Sequence, residues 1–325
     1  MYFALSILLL YGFFYSYIFL CWRCTDINGL HLLIVCEPFL CCRSNIYAHI
    51  FLFIWLVPKS IFYRLQVGFV AAVVVDDGVT VVTRAARVNS SVSGRGLYKK
   101  LETHVLNESK IKVHAFTTGD DNPITEKQSF KSVNQLLITK PIVRFVFDKC
   151  DLQTLETETE NLIVPTDEEL TAFLSNDVIR QYFFRKDRIV VDLVPYRAIP
   201  ANVPFLKAPN RMEIVSDVKI SEVTKAKGLL TICTTYASQV PPFVCNLDVF
   251  GTDISSLKSH VVYHLRHIRK ETIGSVCLLL YVDEVFDMTE LDNVFQCIGL
   301  QRNDLIYSCP ERVCTKLYLY EKHLA

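Results

Sequence analysis

Residues Asn89-Ser-Ser-Val-Ser-Gly-Arg-Gly96 carry the clearest chemistry in the chain. They follow a β-branched run, Thr80–Val88, and lead into Leu97, Leu101 and Val105, which share one face at helical spacing. Glycine lets a backbone approach an anion closely, and the first turn of a helix presents N–H groups with no intrahelical partner. The aligned peptide dipoles add a partial positive charge at that end. A Gly-x-Gly turn opening a helix therefore predicts a phosphate site. The plain alternative is a strand-loop-helix connection that uses two glycines for turning. Two histidines lie close by in sequence, His104 on the predicted helix and His114 on the next predicted strand. An unperturbed imidazole titrates near neutrality, so each is a candidate base, against the alternative of a surface or internally satisfied histidine. His260, His264 and His267 recur at i, i+4 and i+7, a spacing that can hold a metal. Arg266, Arg269 and Lys270 crowd positive charge onto the same segment, which predicts a solvated helix face instead. Cys21-x-x-Cys24 has no second pair at ligand spacing nearby, so no metal site is predicted.

The elements that must position these residues are legible from pattern. Val67–Val75, then Asp76-Asp77-Gly78, then a second β-branched run predict an antiparallel hairpin. A helix of about ten residues follows from Gly96. Ile111–Phe116 alternates as a strand, Thr118–Asn122 turns, Glu126–Leu136 predicts a short helix and Lys140–Phe147 a strand. Asp151–Asn161, acidic and threonine-rich, predicts a linker. Thr166-Asp-Glu-Glu169 is a capping box opening a short helix through Leu174. Arg188–Val194 predicts one strand ended by Pro195. The last third predicts strands at Gly228–Ser238 and Pro242–Phe250, a helix at Leu257–Ile268, a strand at Gly274–Val282, a helix at Glu290–Ile298 and a strand at Lys316–Glu321. The order strand-strand-helix-strand-helix-strand thus occurs twice, but Gly251-Thr-Asp-Ile254 stands where the second copy would need a Gly-x-Gly turn.

A dinucleotide-binding unit would use a parallel strand and three glycines, and a Walker loop would use Gly-Lys-Ser/Thr. Neither is present. An antiparallel hairpin, a valine, a Gly-x-Gly turn and a helix resemble the core of the GCN5-related N-acetyltransferase family. Leu137-Ile-Thr-Lys140 with Ile142-Val-Arg-Phe145, Val191-Asp-Leu-Val-Pro-Tyr196 and Asn246-Leu-Asp-Val-Phe-Gly251 further resemble three landmarks of the histidine N-acetyltransferase branch, in its order and at about its spacing. The likeness covers roughly Val67 to the C-terminus. It implies an α/β (α+β) fold: an acetyltransferase-type mixed sheet flanked by helices, then a second, degenerate acetyltransferase-like half. It implies acetyl-CoA as co-substrate, with the main chain of Ala86, Arg87 and Val88 along the pantetheine arm. Ser93, Gly94, Arg95, Gly96, Leu97 and Tyr98 would form the pyrophosphate turn, and the second copy would bind no cofactor. Asp192 and Asp248, within the landmarks, become candidates for holding an acceptor's amine or imidazole, or else turn caps.

The chain departs from the family at several positions. Where the branch has Arg-Gly-x-Gly-x-Ala, this sequence reads Ser93-Gly-Arg-Gly-Leu-Tyr98, and Tyr98 adds bulk at the helix start. Arg84 stands where the branch has an acidic candidate base. No tyrosine occurs between Tyr98 and Tyr182 to supply the leaving thiol's proton. Two functions stay open: transfer of acetyl to the α-amine of a free amino acid such as histidine, or a non-catalytic, membrane-tethered relative that keeps the fold.

Composition bounds the rest. The 325 residues carry 34 Lys+Arg and 34 Asp+Glu, and this neutrality argues against nucleic acid as a partner. A small amino acid fits it. Of twelve cysteines, those in apolar runs such as Cys233, Cys277 and Cys297 read as reduced core residues of an intracellular protein. Residues 1–65 form an apolar leader with only six formal charges, Arg23, Asp26, Glu37, Arg43, Lys59 and Arg64. Three readings stand: a helical transmembrane segment at about 2–22, a gene-model artefact, or a divergent soluble start. The expected organisation is then the leader, a truncated acetyl-CoA-binding core at 66–150, a linker at 151–164 and a C-terminal domain at 165–325. The body is expected to face the cytoplasm, anchored to a membrane if the leader is authentic. Glycosylation at Asn89-Ser-Ser91 would crowd the glycine turn, which also favours a cytoplasmic body; Asn107-Glu-Ser109 is a second such site.

Overall fold

The computed structural model describes residues 21–27, 30–39, 47–56, 65–92, 94–106, 110–148, 162–207, 212–218, 228–237, 243–271, 274–302 and 314–324. They divide into two compact units, drawn from residues 1–115 with 323–325 and from residues 116–322. The expected linker at 151–164 falls almost wholly outside the described residues.

The first unit opens with an antiparallel meander: β1 (Cys21–Ile27), β2 (Leu30–Phe39), β3 (Tyr47–Leu56), β4 (Leu65–Val75) and β5 (Thr80–Val88). The Asp76–Gly78 turn joins β4 to β5 as expected, with positive φ at Asp76, Asp77 and Gly78. Helix α1 (Leu97–Leu106) follows, then β6 (Val113–Gly119), of which Val113–Ala115 belong to this unit and Phe116–Gly119 to the second. Leu97, Leu101 and Val105 turn one face of α1 onto Val70, Ala72 and Val81. Each such burial is worth roughly 1.5–3 kcal/mol, so the apolar stripe fixes the helix on the sheet.

The leader's described residues, 21–27, 30–39 and 47–56, are paired strands. A continuous apolar run suits a strand buried on both faces as well as a helix, and aromatic and β-branched residues in Tyr47–Leu56 tip it towards the strand. Residues 2–20 of the expected membrane span lie outside the described residues; Cys21 and Trp22 belong to β1. Among the described residues no helix is long and apolar enough to cross a membrane.

The second unit contains α2 (Gln128–Lys131), β7 (Gln135–Asp148), α3 (Asp167–Ser175), α4 (Asp177–Phe183), β8 (Arg188–Val191), β9 (Val194–Arg197), α5 (Val203–Leu206), β10 (Met212–Ser216), β11 (Leu229–Ala237), β12 (Phe243–Gly251), α6 (Leu257–Glu271), β13 (Ser275–Tyr281), α7 (Met288–Gln296) and β14 (Lys316–His323). Its mixed sheet runs β14-β7-β13-β12-β11-β10, with only β12 and β13 parallel. Phe145, Leu247, Leu265, Leu278, Leu291 and Phe295 are among its core residues. The capping box stands: the Thr166 hydroxyl accepts from the Glu169 N–H, and Glu169 accepts from the Thr166 N–H at 2.7 Å.

Three expectations need correction. The helix at Glu126–Leu136 is a single turn, and Leu136 is already in β7. The single strand at Arg188–Val194 is a hairpin, β8 and β9, turning at Asp192–Leu193 with φ of 47° and 65°. Two successive left-handed residues match the twist of the flanking strands, and the turn was hidden because neither is glycine. The histidine helix face is not solvated: His260 and His264 are 0% and 1% exposed. They share the face of Leu257, Val261, Leu265 and Ile268, while Arg269 and Lys270 are exposed at the helix end.

Both units contain an antiparallel strand pair, a helix, and a strand parallel to the second of the pair: β4-β5-α1-β6 and β11-β12-α6-β13. They differ in how far the parallel ladder runs. β5 and β6 pair only from Thr80↔Val113 to Val82↔Ala115. β12 and β13 pair from Phe243↔Val276 to Asp248↔Tyr281.

Candidate active site

Among the described residues the β5–β6 ladder ends at Val82↔Ala115, while on the other edge β4 pairs with Thr83 and with Ala85–Val88, its register shifting at Arg84. This is the geometry that accepts an extended ligand through main-chain hydrogen bonds. Ala86 and Val88 are half-buried against the α1 core, and Arg87 folds back so that its guanidinium donates to the Ala86 carbonyl at 2.8 Å.

The turn that follows is shaped locally. The Asn89 side chain accepts from the Ser91 N–H at 3.0 Å and the Ser91 hydroxyl at 2.8 Å. Ser93 lies outside the described residues. Gly94 and Gly96 have φ of 78° and 70°, a region that strains any L side chain, and a Cβ at either would meet nothing within 4 Å. The turn is therefore open as well as left-handed. Gly96 caps α1, its carbonyl accepting from the Lys100 N–H at 3.2 Å. Arg87, Arg95, Lys99 and Lys100 are all exposed around it, a cationic rim suited to a polyanion. Leu97 is buried in the core. Tyr98 is 43% exposed, and its hydroxyl donates to Glu102 Oε1 at 3.3 Å, one turn along the helix. Burial, then the Glu102 carboxylate, push the Tyr98 phenol up to about 12.

Of the candidate bases, His104 is exposed on the solvent face of α1. His114 is 2% exposed on β6, with its Nε2 2.9 Å from the Thr83 hydroxyl and its Nδ1 3.9 Å from Glu102 Oε1. Arg84 is exposed on β5. Sequence reasoning passed over Thr83 and Glu102; the Tyr98–Glu102 spacing of one helical turn was the available signal.

The second unit brings the three sequence landmarks onto one buried cluster. Lys140 of β7 reaches Asp248 Oδ1 of β12 at 3.1 Å, and its ammonium stands 4.5 Å from the centre of the Phe250 ring. Asp248 Oδ2 accepts from the Asp192 N–H at 3.1 Å, and the Asn246 amide donates to Asp192 Oδ1 at 2.8 Å. Lys140, Asp192, Asn246 and Asp248 are all at most 7% exposed. Burial pushes the Asp248 carboxyl up against the opposing pull of the Lys140 ammonium, and burial and then Asp248 push the Tyr281 phenol well up. The cluster holds the β8–β9 turn through Asp192, and separately the Leu193 carbonyl accepts from the Thr117 hydroxyl at 2.6 Å.

The second copy's turn is filled where the first is open. A Cβ on Gly251, at φ 96°, would lie 2.5 Å from the Gly228 carbonyl and 3.0 Å from the Phe183 ring. The gap beside it, bordered by Lys140, Arg185 and Arg188, offers about 20 Å³ to the centre of a water molecule. That is room on the order of a single water, far below a ligand pocket.

Residues 158–283 match the model of the family described as histidine N-acetyltransferase, C-terminal. Over 228 residues the chain is 23% identical to a histidine N-acetyltransferase of Xenopus tropicalis, covering 66% of this chain and 68% of that protein. Among solved structures, it is similar to a tandem GNAT protein from the clavulanic acid biosynthesis pathway (TM-score 0.44, 12% identity, 85% of this chain and 83% of that one). It is also similar to a GCN5-related N-acetyltransferase from Sphaerobacter thermophilus (TM-score 0.41, 9% identity, 84% and 80%). The chain is thus histidine N-acetyltransferase-like, and the family match lies in its C-terminal region.

Proposed function

We propose that this chain transfers acetyl from acetyl-CoA to the α-amine of a free amino acid, with histidine as the first acceptor to test. The observation that carries the reading is the first unit's open edge, where β5 loses its parallel partner after Val82 and runs into the left-handed Gly94 and Gly96 at the start of α1. In this reading the main chain of Ala86, Arg87 and Val88 pairs with the pantetheine arm. The amides from Gly94 to Tyr98 and the rim cations hold the pyrophosphate. Acetyl-CoA supplies the activated acyl group, so the protein need only align the amine and manage its proton. The filled surroundings of Gly251 support one cofactor site rather than two. Asp192 and Asp248, with their hydrogen bonds engaged inside the protein, shape the C-terminal half and reach the acceptor only if the β8–β9 turn lifts. We place the body in the cytoplasm, where buried Cys233, Cys245 and Cys277 would stay reduced.

Arg84 favours a second reading, in which the chain binds acetyl-CoA without turning it over. Titration calorimetry with acetyl-CoA and thiol release over a panel of amino acids separate the two. Binding with histidine-dependent thiol release supports the enzyme, and binding with no release by any acceptor supports the second reading. Wild-type protein that binds no acetyl-CoA refutes both. Gly94→Glu should abolish binding, because the new side chain projects into open space and places a carboxylate where the pyrophosphate would lie, at a stability cost of about 1–2 kcal/mol for an L residue at this left-handed position.

A further inference from the structure

We infer that Thr83, His114 and Glu102 form a proton relay serving the open edge of β5, and that the relay takes the place of the acidic residue missing at Arg84. The inference rests on the acetyltransferase reading above.

Three elements converge to build it. Val82↔Ala115 is the last pair of the β5–β6 ladder, so Thr83 is the first residue of the open edge. Its hydroxyl meets Nε2 of His114 at 2.9 Å. The other ring nitrogen, Nδ1, faces Glu102 Oε1 at 3.9 Å, and the same oxygen accepts from the Tyr98 hydroxyl at 3.3 Å. Exposure rises along this series, from a His114 side chain 3% exposed to a Glu102 side chain 26% exposed and a Tyr98 43% exposed. The relay uses the tautomer with the proton on Nδ1, which the Glu102 carboxylate 3.9 Å away favours by charge, so that Nε2 accepts from Thr83. The arrangement is a hydroxyl backed by an imidazole backed by a carboxylate, the order that activates a hydroxyl for proton transfer.

The step balances on the groups named. The acceptor arrives as a neutral amine, its ammonium proton left to water. Its lone pair forms the N–C bond at the thioester carbonyl carbon. The surplus proton on nitrogen passes to the Thr83 oxygen as the Thr83 proton moves to Nε2 of His114. The C–S bond breaks with its electron pair on sulfur, and the proton returns through Thr83 to the thiolate. The products are an amide and a free thiol, and the relay ends as it began. Thr83 touches the reactants; His114 and Glu102 act through it as positioning residues.

The test uses the full chain with acetyl-CoA and the best acceptor of the wild type. Thr83→Val keeps the shape of the side chain and removes the hydroxyl; its kcat should fall by about 100-fold or more, the scale of lost acid–base catalysis. Its acetyl-CoA dissociation constant should stay within about twofold, because main chain and not this hydroxyl holds the cofactor. Thr83→Ser should return kcat to within about tenfold of wild type. A second readout is the ring nitrogen NMR of His114. Nε2 should be unprotonated in the free protein and shift on addition of acetyl-CoA in wild type and Thr83→Ser, but not in Thr83→Val. An active wild type whose Thr83→Val variant keeps its kcat, or whose His114 carries its proton on Nε2, overturns the relay while sparing the acetyltransferase reading. A wild type that neither binds nor turns over acetyl-CoA overturns both.

Discussion

His264 should make the second unit sensitive to mild acid. Its Nε2 lies 2.9 Å from the Thr231 hydroxyl, which also meets Nδ1 of His260 at 2.8 Å. Nε2 of His260 stands 3.7 Å from Asp217 Oδ2. Burial first, then the neighbouring His260 and His267, hold the His264 imidazole down to about 3 from an ordinary 6.5. The fold therefore favours the neutral ring, while the unfolded chain takes up a proton as pH drops through 6.5. Stability is complete above that value, falls between 6.5 and about 3, and levels off below, where both states are charged. Between pH 7.5 and 5 the loss from this one group is about 2 kcal/mol, and it would reach about 5 kcal/mol at the lower limit. The first figure hardly changes for any folded value below about 4, since at pH 5 the native ring is then neutral. His264→Gln removes the titration and keeps an acceptor for Thr231. Urea unfolding of wild type and variant at pH 7.5, 6 and 5 isolates the group from all others that titrate. The wild type should lose about 2 kcal/mol more than the variant across that range. Parallel pH profiles for the two proteins would refute the reasoning.

Two further outcomes concern the buried cluster and its turn. Lys140→Met leaves the Asp248 carboxyl buried without its ammonium, and unfolding measurements should show a loss of about 3–5 kcal/mol; a loss below about 1 kcal/mol would mean the cluster is not closed to water. Leu193→Gly relieves a left-handed conformation that costs about 1–2 kcal/mol in an L residue. Even after the added freedom of the unfolded chain, the variant should be as stable as wild type or slightly more so by thermal unfolding.

The elements that announce themselves by local chemistry were legible in the sequence. Thr166 and Glu169 define their helix start, the Asp76–Gly78 turn its hairpin, and the spacing of Leu97, Leu101 and Val105 the helix after the glycine turn. What sequence missed depends on partners far along the chain. Nothing local to Asp192 and Leu193 says that two non-glycine residues will bend backwards; the hydrogen bonds to Asp248, Asn246 and Thr117 that hold them come from distant strands. Lys140 and Asn246 lay inside the landmarks, yet their convergence needed the sheet order. The burial of His260 was readable, since it shares the apolar stripe of Leu257, Val261 and Leu265, but the nearby cations drew attention to the opposite face. The helix read at about 2–22 of the leader lies almost wholly outside the described residues, and for the strands that follow it hydropathy without a clear period does not separate strand from helix.

The contrast between the two glycine turns bears on how each half can tolerate mutation. A Cβ at Gly94 or Gly96 would meet nothing within 4 Å among the described residues, so substitutions at exposed neighbours such as Arg95 and Lys99 should cost the fold little and are free to drift unless a ligand restrains them. At Gly251 an added side chain would meet Phe183 and the Gly228 carbonyl, and change there is policed by packing whether or not anything binds. Deep mutational scanning for protein abundance would therefore register crowding at the second turn and, at the first, only the left-handed strain at Gly94 and Gly96 themselves. A scan for acetyl-CoA capture would bring the first into view, and the difference between the two maps would outline the ligand's footprint with no bound structure in hand.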